Sequence, residues 1–168
     1  MQNKDIFINI LRFIILILLQ VFILNNINFL GFINPYLYLL FILIFPFNGN
    51  KTLLIFLSFL LGLSIDIFGD SGGIHAAASV FIAFIRPSFL KFSFGVSYEY
   101  ETIKLGKSDF IKRLIYITLM VISHHLILFS LEIFNTDHIL LILKSTLFSS
   151  IFSIVLLITT ISFFSRKS

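Results

Sequence analysis

No cysteine occurs in this 168-residue chain, which removes disulfides, thiolate metal sites and thiol nucleophiles from the chemistry open to it. Tryptophan is absent and proline occurs three times. Charge is scarce as well: Asp, Glu, Lys and Arg make up 12% of the residues, where a soluble domain carries about a quarter. What is abundant is apolar, at 58% hydrophobic residues and a mean hydropathy of +1.07. A globule of this size has no core large enough to hide so much apolar side chain. The chain therefore reads as an all-α integral membrane protein, one polytopic domain over residues 1–168 with no room for a separate soluble domain. The net charge of +4 does not point to nucleic acid, because the basic residues sit at the ends of apolar segments and act as topology signals. The 23 phenylalanines match the drift of an AT-rich genome and carry no functional argument.

A spanning helix needs about 20 mostly apolar residues. Six stretches are candidates, at 6–24, 29–47, 52–68, 74–90, 113–134 and 139–164. The first embeds Arg12 and Gln20, and no small-x-small cleavage site follows Leu24, so a retained span is expected rather than a signal peptide. The second is broken by Pro35 and Pro46. A tilted or incomplete span, or a re-entrant segment in a five-span chain, stays open there. Lys and Arg prefer the cytoplasmic side of short loops. Lys4, Lys51, the cluster from Arg86 to Arg113, and Arg166 with Lys167 fall at alternate connections, and the other three connections have neither residue. The expectation is six helices with both termini cytoplasmic (N-in, C-in). Asn50-Lys51-Thr52, a glycosylation pattern, then falls in a cytoplasmic turn and is read as chance. The one sizeable connection, 91–112, is expected to be a cytoplasmic loop. It is either a solvated lysine-bearing surface near anionic lipid or a docking surface anchored by Tyr98 and Tyr100.

One stretch is more particular, "GLSIDIFGDSGGIHAAASVFIAFIRP" from Gly62 to Pro87. Ionisable groups at membrane depth are costly, so each needs a partner. Asp66 falls near the outer end of the third span and His75 at the start of the fourth, so a tight turn through Gly72 and Gly73 pairs them. Arg86 lies eleven residues beyond His75, about 16 Å along a helix, and is expected to snorkel at the cytoplasmic exit marked by Arg86-Pro87. The alanines from Ala76 to Ala78, with Ser79 and Ala83, make a thin helix suited to close packing.

On the fifth span His124 and His125 fall near mid-bilayer and Glu132 near the outer end. Adjacent histidines diverge by about 100° on a helix and cannot chelate one ion from one face. His125 and Glu132 share a face, and Glu132 is a candidate partner for Lys144. A metal site from Asp66, His75, His124 and Glu132 has no supporting spacing, so no metal and no cofactor is expected. "GDSGG" has the letters of a serine-protease nucleophile stretch without its β domain, and no serine sits in G-x-S-x-G. No catalytic residue is assigned.

The stretch resembles the rod shape-determining protein family MreD, in the form typical of Bacteroidetes-like bacteria. That family carries Gly-Leu-x-x-Asp-x-Phe, a short turn, Gly-x-His-Ala and then Arg-Pro, matched here by Gly62, Leu63, Asp66, Phe68, Gly73, His75, Ala76, Arg86 and Pro87. The later His124, His125, Phe129, Glu132 and Phe134 also look like that form. The resemblance implies a non-catalytic inner-membrane component of the elongation (rod) complex. Its implied partners are an MreC-like protein, the MreB filament, a RodA-type glycosyltransferase, a class B penicillin-binding transpeptidase and membrane lipids. The family is similar in fold to the substrate-binding component of ECF transporters, which keeps a small-solute-binding subunit as the alternative. Gly62, Asp66, Gly73, His75, Arg86, Pro87, His124, His125 and Glu132 are the structural or partner-binding candidates.

Overall fold

A computed structural model of the chain describes residues 3–27, 29, 31, 33–46, 49–96, 105–134 and 136–165. Its helices are α1 (Asn3–Phe22), α2 (Leu39–Ile44), α3 (Lys51–Gly69), α4 (Ile74–Phe94), α5 (Phe110–Ile133) and α6 (Ile139–Ser165). Five of them are long and apolar enough to cross a membrane, the exception being α2. The chain is thus an all-α multi-pass membrane protein by the length and composition of its helices. Local chemistry sets several of the ends. The Asn50 side chain accepts from Leu53 N–H at 3.1 Å and starts α3, so the residue of the apparent glycosylation pattern is a helix cap. Asp109 starts α5 by accepting from the N–H groups of Ile111 and Lys112.

The helices α3, α4, α5 and α6 pack in chain order, each on the next, and α1 packs on α3. The ends of α1 and α3 lie side by side, with the Phe22 and Phe68 rings 6.5 Å apart. The chain between them therefore returns from that end to the start of α3.

That return is where the structure departs from expectation. A helix over 29–47 does not form. Phe29 and Ile33 exchange backbone hydrogen bonds, residues 34–36 have no regular secondary structure, and only Leu39–Ile44 is α-helical. Six helical residues rise about 9 Å, against about 30 Å of hydrocarbon. Pro46 disfavours helical geometry at Phe45, whose ψ is 140°, and so ends the short helix, while Pro35 limits any extension beyond its start. An extended residue advances about 3.3 Å where a helical one advances 1.5 Å, so this mixed segment covers the distance with little helix.

Two further boundaries are corrected. α4 runs to Phe94, four residues past the expected end at 90, so Arg86-Pro87 lies inside the helix and does not mark its exit. The proline ring removes the hydrogen bond to the carbonyl of Ala83 and must clear that residue, and alanine there leaves room. The connection expected over 91–112 shrinks to 95–109 between α4 and α5. Tyr98 and Tyr100 lie outside the described residues.

Candidate functional site

Helix ends in apolar surroundings leave backbone N–H and C=O groups that water cannot satisfy. Among the described residues, several buried polar side chains lie where such ends occur.

The first cluster is the corner between α3 and α4. Asp70 closes α3 in the left-handed conformation (φ 50°), and its N–H and that of Ser71 both bond the carbonyl of Asp66. Gly72 and Gly73 follow at φ 68° and 94°, angles that only glycine adopts without cost. The reversal turns the Asp66 carboxylate onto the beginning of α4. Its Oδ1 accepts from the hydroxyl of Ser71, from His75 N–H at 3.0 Å and from His75 Nδ1 at 2.9 Å, and its Oδ2 accepts from Ala76 N–H at 2.9 Å. Gly73 at the N-cap position has no side chain to do this, so a carboxylate from the preceding helix caps α4. Asp66 and His75 are both buried. Gly62, one turn earlier on α3, faces the same place: a Cβ there would lie 2.5 Å from the backbone of Ala76.

The second cluster surrounds the residues leading into α2. Gln20, fully buried on α1, donates to Pro35 O at 3.0 Å and to Asn25 Oδ1 at 2.8 Å, and accepts from Leu37 N–H at 2.9 Å. From another helix it holds the turn that leads into α2. On α6, Ser149 Oγ accepts from Asn34 N–H at 3.3 Å and Ser153 Oγ from Tyr36 N–H at 3.0 Å. His125 Nδ1 lies 2.7 Å from Val121 O, which can only accept, so Nδ1 carries the proton. In the neutral ring, Nε2 then accepts from Ser153 Oγ at 3.2 Å. His124 Nε2 pairs with the Tyr38 hydroxyl at 2.7 Å, and its Nδ1 is buried without a partner. The histidines diverge as their helical spacing requires, one toward Tyr38 and the other toward α6. Tyr36 touches both rings, with centroids 6.1 Å from His124 and 4.9 Å from His125, and lies 6.1 Å from His75.

The third cluster closes the other end of α2. Arg86 is buried and does not snorkel to the surface. Its Nε donates to the Tyr116 hydroxyl at 2.8 Å, and its Nη2 donates to the carbonyls of Leu43, at 3.4 Å, and Phe45. A guanidinium spreads several donors in a plane, which suits the orphan carbonyls at a helix C-terminus and the helix dipole there.

Not every sequence candidate joins these clusters. Glu132 is exposed and comes within ion-pair distance of neither His125 nor Lys144 among the described residues. It lies two turns beyond His125, and its charge reaches His75 and Tyr36 without an ion pair. Nor do three His, Asp or Glu side chains gather among the described residues as a metal group would, so the set Asp66, His75, His124 and Glu132 is not assembled. Pro87 shapes α4 without entering a polar cluster. Sequence reasoning missed Tyr36, Tyr38, Tyr116, Ser149 and Ser153, and treated Gln20 only as an embedded amide. The available signals were a lone amide in an apolar span and Ser145, Ser149 and Ser153 at i, i+4, i+8 on one helix face.

No family model matches the chain, and neither the curated proteins nor the solved structures include a significant match.

Proposed function

We infer that this chain is a non-catalytic scaffold of the bacterial inner membrane, similar to MreD, acting in the elongation complex that maintains cell shape. On this reading it holds an MreC-like protein and the MreB filament near a RodA-type glycosyltransferase and a class B penicillin-binding transpeptidase. It crosses the membrane six times with both termini cytoplasmic, the second crossing being the broken segment over 33–46. The side-by-side ends of α1 and α3 support that count. Orientation rests on charge: Lys51, Lys91, Lys107 and Lys112 gather at one end of the bundle, and Asp70, Glu132 and Asp137 at the other.

The observation that carries the scaffold reading is the direction in which the buried polar side chains point. Gln20 and Asp66 aim at backbone groups of neighbouring segments, and so do the bonds that Arg86 makes to Leu43 and Phe45. Groups so engaged fix a shape; a transport path needs them facing its cargo. The helix faces left outside are apolar, among them Ile67, Phe84, Phe92, Leu140 and Val155, as lipid or partner helices require. Depleting the protein in its source organism should round or swell the cells, and the tagged protein should co-purify with an MreC-like protein. Normal shape after a clean deletion, with no such protein recovered, would refute the reading.

A second reading, a small-solute-binding subunit of a transporter, is favoured by one feature. His124 Nδ1 is buried without a hydrogen-bond partner, beside the Tyr36 and Tyr38 rings. A solute bound there should raise the melting temperature of the purified protein, and a vitamin screen without any shift would refute it.

A further inference from the structure

At the basic end of the bundle, Arg113 in the first turn of α5 is 8% exposed. Its guanidinium folds back toward the start of its helix, 5.6 Å from the Phe110 ring centroid, and Nη1 donates to Gly106 O at 3.1 Å. That carbonyl also accepts from Ser165 Oγ at 2.8 Å. Nε has no partner, and among the described residues no carboxylate lies within 4.0 Å of the group. A buried full charge held by one shared carbonyl and the face of one ring is unfavourable unless an anion completes it. We propose that the start of α5 binds the phosphate of an anionic phospholipid, gripped by the Arg113 guanidinium.

Four features of the site fit a lipid phosphate. Arginine matches phosphate oxygens with paired donors. The N-terminus of a 24-residue helix adds a favourable dipole. Lys107 and Lys112 are exposed nearby in sequence and attract an anionic headgroup. Phe110 and Ile111 are exposed in the same turn, at 53% and 65%, where acyl chains would lie. The opposing charge on this element is Asp109, whose Oδ1 is already held by the N–H groups of Ile111 and Lys112. The proposal goes beyond the scaffold reading and does not depend on it.

The test is thermal unfolding of the purified full chain in neutral detergent and 0.5 M NaCl, which screens the exposed lysines. Phosphatidylglycerol, phosphatidylcholine and inorganic phosphate are each added separately. Phosphatidylglycerol should raise the melting temperature by about 4 °C more than phosphatidylcholine, and Arg113→Gln should lose that increment. Equal shifts from the two lipids would overturn the proposal, as would an increment that survives Arg113→Gln. A full shift from inorganic phosphate would overturn the lipid assignment in favour of a free phosphate. Pairing of Arg113 inside the chain is read with Glu99→Gln/Glu101→Gln. If this variant, without lipid, is destabilised as much as Arg113→Gln, the site is closed and the proposal fails. Should Arg113→Gln not fold, native mass spectrometry of the unaltered protein decides: preferential retention of phosphatidylglycerol supports the site, and equal retention of both lipids overturns it.

Discussion

At the scale of single residues, Gly62 and Asp66 do the most for the corner, for different reasons. Gly62 matters for what it lacks. A Cβ added there would stand 2.5 Å from the backbone of Ala76, so any side chain forces α3 and α4 apart. Gly62→Ala should therefore cost about 2 kcal/mol by overpacking, read as a lower melting temperature in detergent; an unchanged value would mean the helices separate freely. Asp66 matters for charge and for having two oxygens. Asn in its place presents one acceptor and an NH2 that faces N–H donors. Asp66→Asn should cost about 2–3 kcal/mol. Adding His75→Ala to that variant should cost less than His75→Ala alone, because the bond between the two is already gone. Additive losses would show that the 2.9 Å contact carries no coupling. Both residues were legible in the sequence as motif letters, and the pairing followed from the short turn. The steric demand at Gly62 was not, because it depends on which atoms the neighbouring helix brings opposite.

At the scale of elements, α2 is the informative one. Six residues cannot hold a helix by their own hydrogen bonds, and this helix stands because Gln20 on α1 fixes the turn leading into it and Arg86 on α4 holds the carbonyls at its end. Gln20→Leu keeps the volume and leaves Leu37 N–H and Pro35 O unbonded. The expected cost is about 3 kcal/mol, and a loss under a third of that would show that the start of α2 finds other partners. The serines of α6 should rank by their bonds. Ser153 serves both Tyr36 N–H and His125 and Ser149 serves Asn34 N–H, so Ser153→Ala should lower the melting temperature more than Ser149→Ala. The reverse order would contradict the geometry. Long apolar runs made the five long helices readable, because period and length suffice for them. The interruption at Pro35 and Pro46 was readable too. Its partners were not, since Gln20 and Arg86 lie 15 residues before and 41 residues after the groups they hold.

At the scale of the whole molecule, the proposed six-crossing topology makes a prediction that the absence of cysteine makes clean to test, because each engineered cysteine is then the only thiol. Cysteines at Asp70 and Asp137 should react with a membrane-impermeant maleimide in intact cells stripped of outer layers. Cysteines at Asn50 and Ser108 should react only after permeabilisation. Labelling of position 50 from outside would mean that 33–46 is re-entrant and the chain crosses five times. Non-helical backbone at membrane depth survives only where protein covers it, and Ile33 and Tyr36 on the irregular approach to α2 are buried.

Composition alone determined the class, since so many apolar residues in so short a chain leave lipid as the solvent that accepts them. Apolar run length determined the long helices, and the alternation of Lys and Arg determined the expected orientation. Local spacing also determined the Asp66–His75 corner, because nine residues and two glycines leave those side chains little choice. The tertiary structure alone decided that the second apolar stretch is a short helix with an irregular approach, that Arg86 is a buried clamp, and that Glu132 forms no ion pair with the histidines. The physical reason is common to all three. Whether a backbone group or a charge is tolerated at depth depends on the partner another segment supplies, and that partner is a property of the packed bundle.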